Sequence, residues 1–331
     1  MEKGLRMSLL VQCQLCPKGC VIRPGQSGEC RIRVNIDGRL AAVTYGHPCS
    51  LHVDPMEKKP MFHFLPGTGI LSLATVGCNL HCKNCQNWEI SQENPENVPA
   101  DELPPEMLPG LAKKHQCRSV AYTYTDPVVY YEYALDSCIK VREAGLKNVL
   151  VTAAYISQDP WKKLLQFVDG AKIDMKSMSE DFYRDVCGAT LRPVLDATVT
   201  AKSMGVWIEP TNLVIPTLND SDDDFRKMAK WIVENLGRET PLHLSRFFPN
   251  YQMKNLPPTP SETLDRARDI GMAEGLYHVY IGNISLPGAE NTYCPACKKL
   301  LVERRGFEVL QNNITAGKCP ACNKEIPGVW Q

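Results

Sequence analysis

The sequence of 331 residues predicts an α/β fold: an incomplete (β/α)6-type TIM barrel with a small Cys-rich metal-binding appendage at each end. From residue 70 onward, short apolar runs alternate with amphipathic segments, as is typical of βα units around a parallel sheet. Residues 70–283 amount to about 210 residues, whereas a full barrel usually takes about 250. The fifteen cysteines fall largely in CxxC-type clusters. We therefore divide the chain into residues 1–52, a barrel over 53–290, and residues 291–331.

Composition and charge exclude several classes of protein. With 44% hydrophobic and 22% charged residues, the chain can bury a large core. Lys plus Arg and Asp plus Glu number 37 each, so no overall field attracts nucleic acid or anionic lipid. Residues 1–10 lack the long apolar core of a signal peptide, and no apolar run reaches transmembrane length. We expect a cytoplasmic monomer without nucleic-acid or membrane partners.

The first 50 residues are rich in turns and have little apolar periodicity, so they need a cross-link. Four cysteines, Cys13, Cys16, Cys20 and Cys30, can supply it, and we call them the N-terminal Cys set. They would complete a closed tetrahedral zinc site, which we favour, or hold a second iron–sulfur cluster. Cys49 is interpreted as a lone thiol.

Seven strands are predicted in the barrel segment, and the residues before them, 53–66, read as a charged linker. Apolar residues at Trp161, Leu164, Leu165 and Val168 fall on one face of a helix. A second stripe begins with Phe225 after a cap at Ser221, and Thr259 to Glu262 has the pattern of a capping box with Pro260 at the first helical position. The predicted strands are 70–76, 119–124, 148–152, 171–175, 206–214, 242–247 and 277–281.

A second group of cysteines, Cys78, Cys82 and Cys85, follows the first of these strands, and we call it the barrel Cys set. Structural zinc takes four ligands, but no fourth Cys or His lies nearby in sequence, and His81 points away if Cys82 points in. A [4Fe-4S] cluster normally takes four thiolates, so three would leave one iron open to a small chelating molecule. The spacing therefore indicates a cluster with an open iron.

This CxxxCxxC spacing, followed by Gln86-Asn87-Trp88, resembles the radical S-adenosylmethionine (SAM) superfamily. Nearly the whole chain is similar to the pyruvate formate-lyase activating enzyme-like members, and most closely to the branch called AmmeMemoRadiSam. The resemblance implies that the amino and carboxylate groups of SAM occupy the open iron, and that an electron from the cluster releases a 5′-deoxyadenosyl radical. The residues that carry it are the N-terminal Cys set, 54–60, 77–92, 247–251 and the closing CPAC pair.

Active groups of such a barrel lie at the carboxyl ends of its strands. There, Asp126 can accept from the SAM ammonium and Lys176 can pair with its carboxylate. The resemblance implies that Thr125-Asp126-Pro127 replaces a Gly-Gly-Glu-Pro turn, that Asp174-Met-Lys176 matches an Asp-x-Lys beside the methionyl group, and that Asn84 stands where an aromatic residue usually lies near adenine. No catalytic residue is assigned. The candidate cofactor-binding residues are Asn84, Thr125, Asp126, Asp174, Lys176, His243 and Asn283.

Structural alternatives exist for four of these residues. Asp126 has the place of a turn-initiating residue before proline, and Asp174 with Lys176 has the spacing of a strand-end salt bridge. His243 on an apolar strand is equally consistent with a hydrogen-bonded core residue.

Two CPAC sequences close the chain and supply four cysteines, Cys294, Cys297, Cys319 and Cys322, which we call the C-terminal Cys set. This pattern predicts a zinc ribbon or a rubredoxin-like iron site, with zinc the favoured metal. Between the two sequences, residues 304–313 read as a β-hairpin arm. Residues 326–330 are expected to dock on the barrel.

Three functional hypotheses follow. The first is an activating enzyme whose radical abstracts hydrogen from a glycine of a partner protein at the open side of the barrel. The second is radical modification of a small molecule in a Memo-linked pathway. The third is a non-catalytic iron–sulfur or zinc protein that binds partners. The cofactors expected are a [4Fe-4S] cluster, SAM and zinc, and the partners are a reductant such as flavodoxin or ferredoxin and a protein substrate or Memo-like protein, in an anaerobic setting.

Overall fold

The computed structural model describes residues 9–331. Residues 1–8, which belong to the segment where no signal peptide is expected, lie outside the described residues. The strands are β1 (Val11–Gln12), β2 (Val21–Ile22), β3 (Arg33–Ile36), β4 (Arg39–Ala42), β5 (Ser50–Pro55), β6 (Gly69–Ala74), β7 (Ser119–Tyr122), β8 (Lys147–Thr152), β9 (Gly170–Asp174), β10 (Trp207–Val214), β11 (Leu242–Arg246), β12 (Val279–Gly282), β13 (Thr292–Tyr293), β14 (Leu300–Arg305) and β15 (Glu308–Asn312). The α-helices are α1 (Trp88–Ser91), α2 (Leu108–Lys114), α3 (Tyr131–Glu143), α4 (Gln158–Leu165), α5 (Glu180–Phe182), α6 (Leu191–Ser203), α7 (Asp222–Leu236) and α8 (Ser261–Ala273).

The main sheet contains the seven parallel strands β6 to β12 in chain order, and each corresponds to a predicted strand. Apolar residues pair across it, with Leu71 opposite Val120 and Leu244 opposite Ile281. Helices follow each strand from β6 to β11, which gives six βα units and a closing strand. Within residues 9–331, β5 and β12 are the edges of the sheet and are not paired with each other. The incomplete barrel is therefore confirmed.

The segment before the barrel differs from the sequence interpretation. Residues 53–55 belong to β5, which pairs antiparallel with β6, so they are not the charged surface linker that their composition allows. This strand also crosses the predicted boundary between residues 52 and 53. Asp54 is buried and bound by Lys58 and Lys59 at 2.8 and 2.6 Å. Because the charges of this segment neutralise one another inside the protein, its polar composition does not indicate exposure.

The helix signals are confirmed in two places and wrong in one. Trp161, Leu164 and Leu165 are buried on α4, and Ser221 caps α7 by accepting from the backbone N–H of Asp224. At α8, however, Pro260 is the N-cap, and no side chain caps the helix. The Thr259 hydroxyl instead donates to the Val214 carbonyl and accepts from the Phe247 N–H. Tertiary hydrogen bonds have replaced the predicted capping box.

Two short hairpins, β1–β2 and β3–β4, form the N-terminal segment. An ion pair between Arg33 and Glu132 on α3 joins this segment to the barrel at 2.7 Å. The Ser157 N–H, which precedes α4, also donates to the Leu15 carbonyl. The segment therefore packs beside the loops that follow β7 and β8.

The C-terminal module is the three-stranded antiparallel sheet β13–β14–β15, and the predicted hairpin arm is its β14–β15 pair. Beyond it, Val329 exchanges backbone hydrogen bonds with His63 and Leu65, as expected for a segment that docks on the barrel. No helix among residues 9–331 has both the length and the apolar character needed to cross a bilayer.

Candidate functional site

A cavity of about 560 Å³ opens at the carboxyl ends of the barrel strands and extends into the barrel interior. The barrel Cys set lines it together with every residue that the sequence nominates for cofactor binding. These residues are Cys78, Cys82, Cys85, Asn84, Thr125, Asp126, Asp174, Lys176, His243 and Asn283. The fold thus gathers residues that are separated by up to about 200 positions.

The cysteine loop leaves β6 through Gly77, whose φ is +93°. A Cβ atom there would lie 2.5 Å from the Cys30 carbonyl oxygen, so only glycine fits. Cys82 is buried, whereas Cys78 and Cys85 are partly exposed to the cavity. The Leu80 N–H points at the Cys78 Sγ at 3.5 Å, and the Ser91 hydroxyl lies 3.1 Å from the Cys85 Sγ.

A cysteine absent from the sequence interpretation, Cys187, also approaches this loop. It ends a π-helical turn after α5, and its carbonyl accepts from the His81 N–H at 2.9 Å. The nearby Cys187 thiol and Lys176 ammonium lower the Cys82 pKa to about 7 against the effect of burial. Cys187 does not line the cavity. It therefore lies near Cys82 but outside the cavity lining.

Thiol spacing separates the three Cys sets. Among residues 9–331, only the C-terminal Cys set places three or more ligand atoms all within 4.8 Å of one another. Its Sγ atoms lie 3.6 Å apart for Cys294 and Cys322 and 3.7 Å apart for Cys297 and Cys319. Four thiolates at about 2.3 Å from one tetrahedral metal lie about 3.8 Å apart. The C-terminal Cys set fits a single metal ion, whereas the other two sets are more widely spread.

Asp126 lies buried in the loop that follows β7. Its carboxylate accepts from the Val128 N–H, the Thr152 hydroxyl and the Ala153 N–H at 2.8 to 3.1 Å. Burial outweighs these donors and raises the Asp126 pKa. A carboxylate has about four acceptor positions, so one remains for a ligand. The neighbouring Thr125 hydroxyl is already used, because it donates to the Thr75 carbonyl.

Asp174 and Lys176 form a charged pair in the cavity. Lys176 Nζ lies 3.5 Å from Asp174, and Lys172 contacts the other carboxylate oxygen. Burial opposes both charges, but the two lysines lower the Asp174 pKa and Asp174 raises the Lys176 pKa. Asp174 and Lys176 are therefore both ionised at neutral pH. Side chains two positions apart on a strand lie on the same face, so residues 172 and 174 both point into the barrel.

His243 lies deeper than the sequence predicts. It is the second residue of β11, so it is near the start of the strand rather than at its carboxyl end. Its Nε2 donates to the buried Glu209 at 2.7 Å, and its ring packs edge-on against Phe62. Glu209 also accepts from the Phe62 and His63 backbone N–H groups. His243 therefore belongs to a buried hydrogen-bond network at the cavity floor.

Two further polar residues of the cavity have unsatisfied atoms. Asn84 and Thr211 are buried, and neither the Asn84 Oδ1 nor the Thr211 hydroxyl has a hydrogen-bond partner within the described chain. An unpaired buried polar atom is costly, so these atoms indicate positions for ligand contacts. Asn283, by contrast, is exposed at the rim and donates to the Arg246 carbonyl.

Sequence reasoning missed a buried cluster built on β5. Lys59 is buried, binds Asp54 and lies 4.4 Å above the ring of Tyr124. Tyr124 also donates to Asp54, and its φ of +61° is unusual for a tyrosine. Both Lys59 and Tyr124 line the cavity. The paired Lys58-Lys59 beside Asp54 was the available signal, but it also occurs in surface linkers.

Comparison with known proteins identifies this arrangement. The Radical SAM superfamily model matches residues 72–232, which contain the barrel Cys set and strands from β6 to β10. An uncharacterized protein of Methanocaldococcus jannaschii is 46% identical over 318 residues, which cover 96% of this chain and 95% of that protein. The chain belongs to the radical SAM superfamily. The narrower likeness to the AmmeMemoRadiSam branch stays a prediction.

Two further proteins match more distantly. The pyruvate formate-lyase-activating enzyme of Clostridium pasteurianum is 26% identical over 177 residues, covering 51% of this chain and 72% of that enzyme. The crystal structure of a radical SAM methyltransferase from Sphaerobacter thermophilus aligns with a TM-score of 0.53 and 15% identity, covering 72% of this chain and 71% of that one. The latter likeness concerns the fold alone.

The barrel Cys set fits the cluster that radical SAM proteins bind. Its three thiols face one cavity and are too widely spaced for a single zinc ion. Asn84, between Cys82 and Cys85, adds an unsatisfied buried oxygen at the same cavity. These residues match a [4Fe-4S] cluster held by three protein thiolates, with SAM beside it.

Proposed function

We propose that this radical SAM enzyme is of the activating type and abstracts hydrogen from a glycine of a partner protein. The observation that carries the proposal is the meeting of three cluster thiols with Asp126, Asp174 and Lys176 at one cavity on an open barrel. When bound, the cluster supplies the electron that cleaves SAM to methionine and a 5′-deoxyadenosyl radical. The match to a pyruvate formate-lyase-activating enzyme supports the activating subtype.

The side chains of this chain bind and orient SAM. Lys176, held charged by Asp174, pairs with the SAM carboxylate, and Asp126 uses its remaining acceptor position for the ammonium. Asn84 Oδ1 accepts a hydrogen bond from the adenosyl part. The unpaired edges at β5 and β12 leave a side through which a protein segment reaches the cavity. A flavodoxin or ferredoxin supplies the electron.

Anaerobic reconstitution with iron and sulfide, followed by dithionite and SAM, tests this function. Formation of 5′-deoxyadenosine above the level of a Cys82→Ala variant is expected, together with a glycyl-type electron paramagnetic resonance doublet on the partner. Cys49→Ala serves as the matched control because Cys49 lies outside the three Cys sets. Absence of 5′-deoxyadenosine above the Cys82→Ala level would instead support a non-catalytic, partner-binding protein.

One observation favours a second candidate, radical modification of a small molecule, such as one in a Memo-linked pathway. The cavity continues below the proposed SAM position to Lys172, Thr211 and His243, and the Thr211 hydroxyl has no partner among the described residues. A protein loop contacting only the rim would not need polar groups at that depth. A turnover-dependent small product without a glycyl signal would select this candidate.

The C-terminal Cys set, we propose, binds zinc. Its thiol separations of 3.6 and 3.7 Å suit a tetrahedral four-thiolate ion, and zinc is the usual metal of such closed sites. A rubredoxin-like iron would show the visible absorption of ferric thiolate, so metal analysis and a spectrum of the isolated protein distinguish the two.

A further inference from the structure

We propose that the N-terminal Cys set binds a second [4Fe-4S] cluster, with all four irons ligated by this chain, and that this cluster passes electrons to the cluster at the barrel Cys set. This assignment replaces the zinc favoured from sequence. The metal assignment does not depend on the function proposed above, whereas the electron-transfer role rests on that function.

The four thiols surround one small cavity. Cys13, Cys16, Cys20 and Cys30 all line it, yet no three of their Sγ atoms lie within 4.8 Å of one another. A single tetrahedral zinc would hold them about 3.8 Å apart, as the C-terminal Cys set illustrates in the same molecule. A cluster of four irons separates its ligands more widely, because each thiolate binds a different metal atom. The spacing therefore favours a cluster over zinc.

Arg33 supplies an independent indication of an anionic ligand. Only 7% exposed, it lines the same cavity, and its terminal nitrogens bind Glu132 at 2.7 and 2.9 Å. Its Nε has no partner in the described chain, although the guanidinium lies beside the Cys13 thiol. An unpaired buried N–H donor in a cavity lined by four thiols fits a sulfur cluster, whose potential depends on such hydrogen bonds.

Backbone N–H groups strengthen this environment. Those of Ile32 and Arg33 lie near the Cys30 thiol, and that of Lys18 lies near Cys16. The β1–β2 hairpin fixes the first loop, because the Cys13 N–H donates to the Cys20 carbonyl at 2.8 Å. Local backbone hydrogen bonds thus fix the loop that carries these thiols.

The two sites are neighbours. The Cys30 carbonyl packs against Gly77, next to Cys78, so closely that a Cβ atom at Gly77 would lie 2.5 Å from its oxygen. Asn79, which follows Cys78, lines the N-terminal cavity and approaches the Cys16 thiol. In the proposed step, the N-terminal cluster accepts one electron from a reduced flavodoxin or ferredoxin and passes it to the barrel cluster, and no covalent bond forms or breaks.

A Cys78→Ala/Cys82→Ala/Cys85→Ala variant isolates the proposed cluster. After anaerobic reconstitution it should retain about four irons and four sulfides per chain and give a reduced-cluster resonance that SAM does not alter. The unmodified chain should hold about eight irons and one zinc. About four irons with two zincs in the unmodified chain, or no iron in the variant, would overturn the assignment. The variant needs no SAM cleavage, so its result is independent of the proposed function.

Two comparisons test whether a variant loses iron through misfolding and whether the two clusters lie close together. Cys16→Ala should lose about four irons while its remaining cluster still responds to SAM, whereas Cys49→Ala should lose none. Two reduced clusters at neighbouring sites couple magnetically, so the spectrum of the fully reduced chain should be broader than the sum of the Cys16→Ala and triple-variant spectra. A spectrum equal to that sum would contradict electron transfer between adjacent sites.

Discussion

Arg304 and Glu57 face each other across the junction of the C-terminal module and the barrel, with Nε 3.6 Å from Oε1 and both side chains excluded from solvent. The guanidinium also donates to the Phe62 and Glu290 carbonyls and lies over the Phe62 ring. A single charged residue therefore joins the module to the segment that precedes β6.

Replacing Arg304 should be strongly destabilising. Arg304→Met leaves the buried Glu57 without its counter-charge, and the free energy of unfolding should fall by about 3–5 kcal/mol. Urea denaturation measures this change. The adjacent Arg305 pairs with Glu308 on the surface, so Arg305→Met should change stability by less than about 1 kcal/mol. Equal effects of the two variants would show that the buried pair has no special role.

Lys176 should determine SAM affinity. Loss of a charge-assisted contact costs about 1.5–3 kcal/mol, so Lys176→Met should weaken SAM binding by about 10- to 100-fold. Anaerobic titration calorimetry on protein of matched iron content measures the dissociation constant. Lys162, exposed on α4, provides the control variant Lys162→Met. A change of less than about threefold for Lys176→Met would remove the residue from the SAM site.

His63 should make the protein less stable in mild acid. Burial and the neighbouring His278 lower its pKa to about 3, and its ring nitrogens bind the Pro327 carbonyl and the Tyr280 hydroxyl. The unfolded chain binds the proton near pH 6.5, so this stability is complete above pH 6.5 and falls as pH decreases toward 3. Between pH 7 and 5 the unfolding free energy should drop by about 2 kcal/mol from this residue.

Denaturant unfolding at both pH values, at constant metal content, measures that drop. His63→Gln should unfold more easily at pH 7 but lose less stability on acidification. His115→Gln, at an exposed position, should behave like the unmodified protein. An unchanged pH dependence in His63→Gln would show that another group causes the acid sensitivity.

Cys187 should not be a cluster ligand. It lies near Cys82 but does not line the cavity, so Cys187→Ala should keep its iron content and its SAM cleavage, while Cys82→Ala loses both. Iron analysis and 5′-deoxyadenosine assays measure the outcome. Loss of about four irons in Cys187→Ala would mean that the cluster has a fourth protein ligand.

The C-terminal Cys set should fold its module. Cys319→Ala should lose one zinc per chain and lower the melting temperature, because a structural metal contributes directly to folding. Cys117→Ala, which removes a buried thiol outside the three Cys sets, should retain all metals. Metal analysis and calorimetry together check this prediction.

The barrel was predictable because each parallel strand is buried on both faces and reads as an apolar run. The barrel Cys set was visible because its three ligands lie within eight consecutive residues. Asp126, Asp174 and Lys176 were correctly predicted to line the cavity, because they lie at or after strand ends and the carboxyl ends of parallel strands share one edge.

Long-range pairing was not predictable. Glu209 and His243 lie 34 residues apart and look like isolated polar residues within buried strands, yet they bind each other. Thr259 has the local signature of a cap, but its hydroxyl bonds two distant backbone groups. Cys187 approaches Cys82 only because the turn after α5 folds back over the cysteine loop. Local patterns do not encode such contacts.

The hydrogen bonds between Val329 and residues 63–65 have a consequence for how the molecule is made. His63 also binds Pro327, a contact between positions 264 residues apart. Contacts of such separation close a very large loop and form late in folding. During synthesis, residues 63–65 at the base of the barrel therefore lack these hydrogen bonds until residue 329 has emerged from the ribosome.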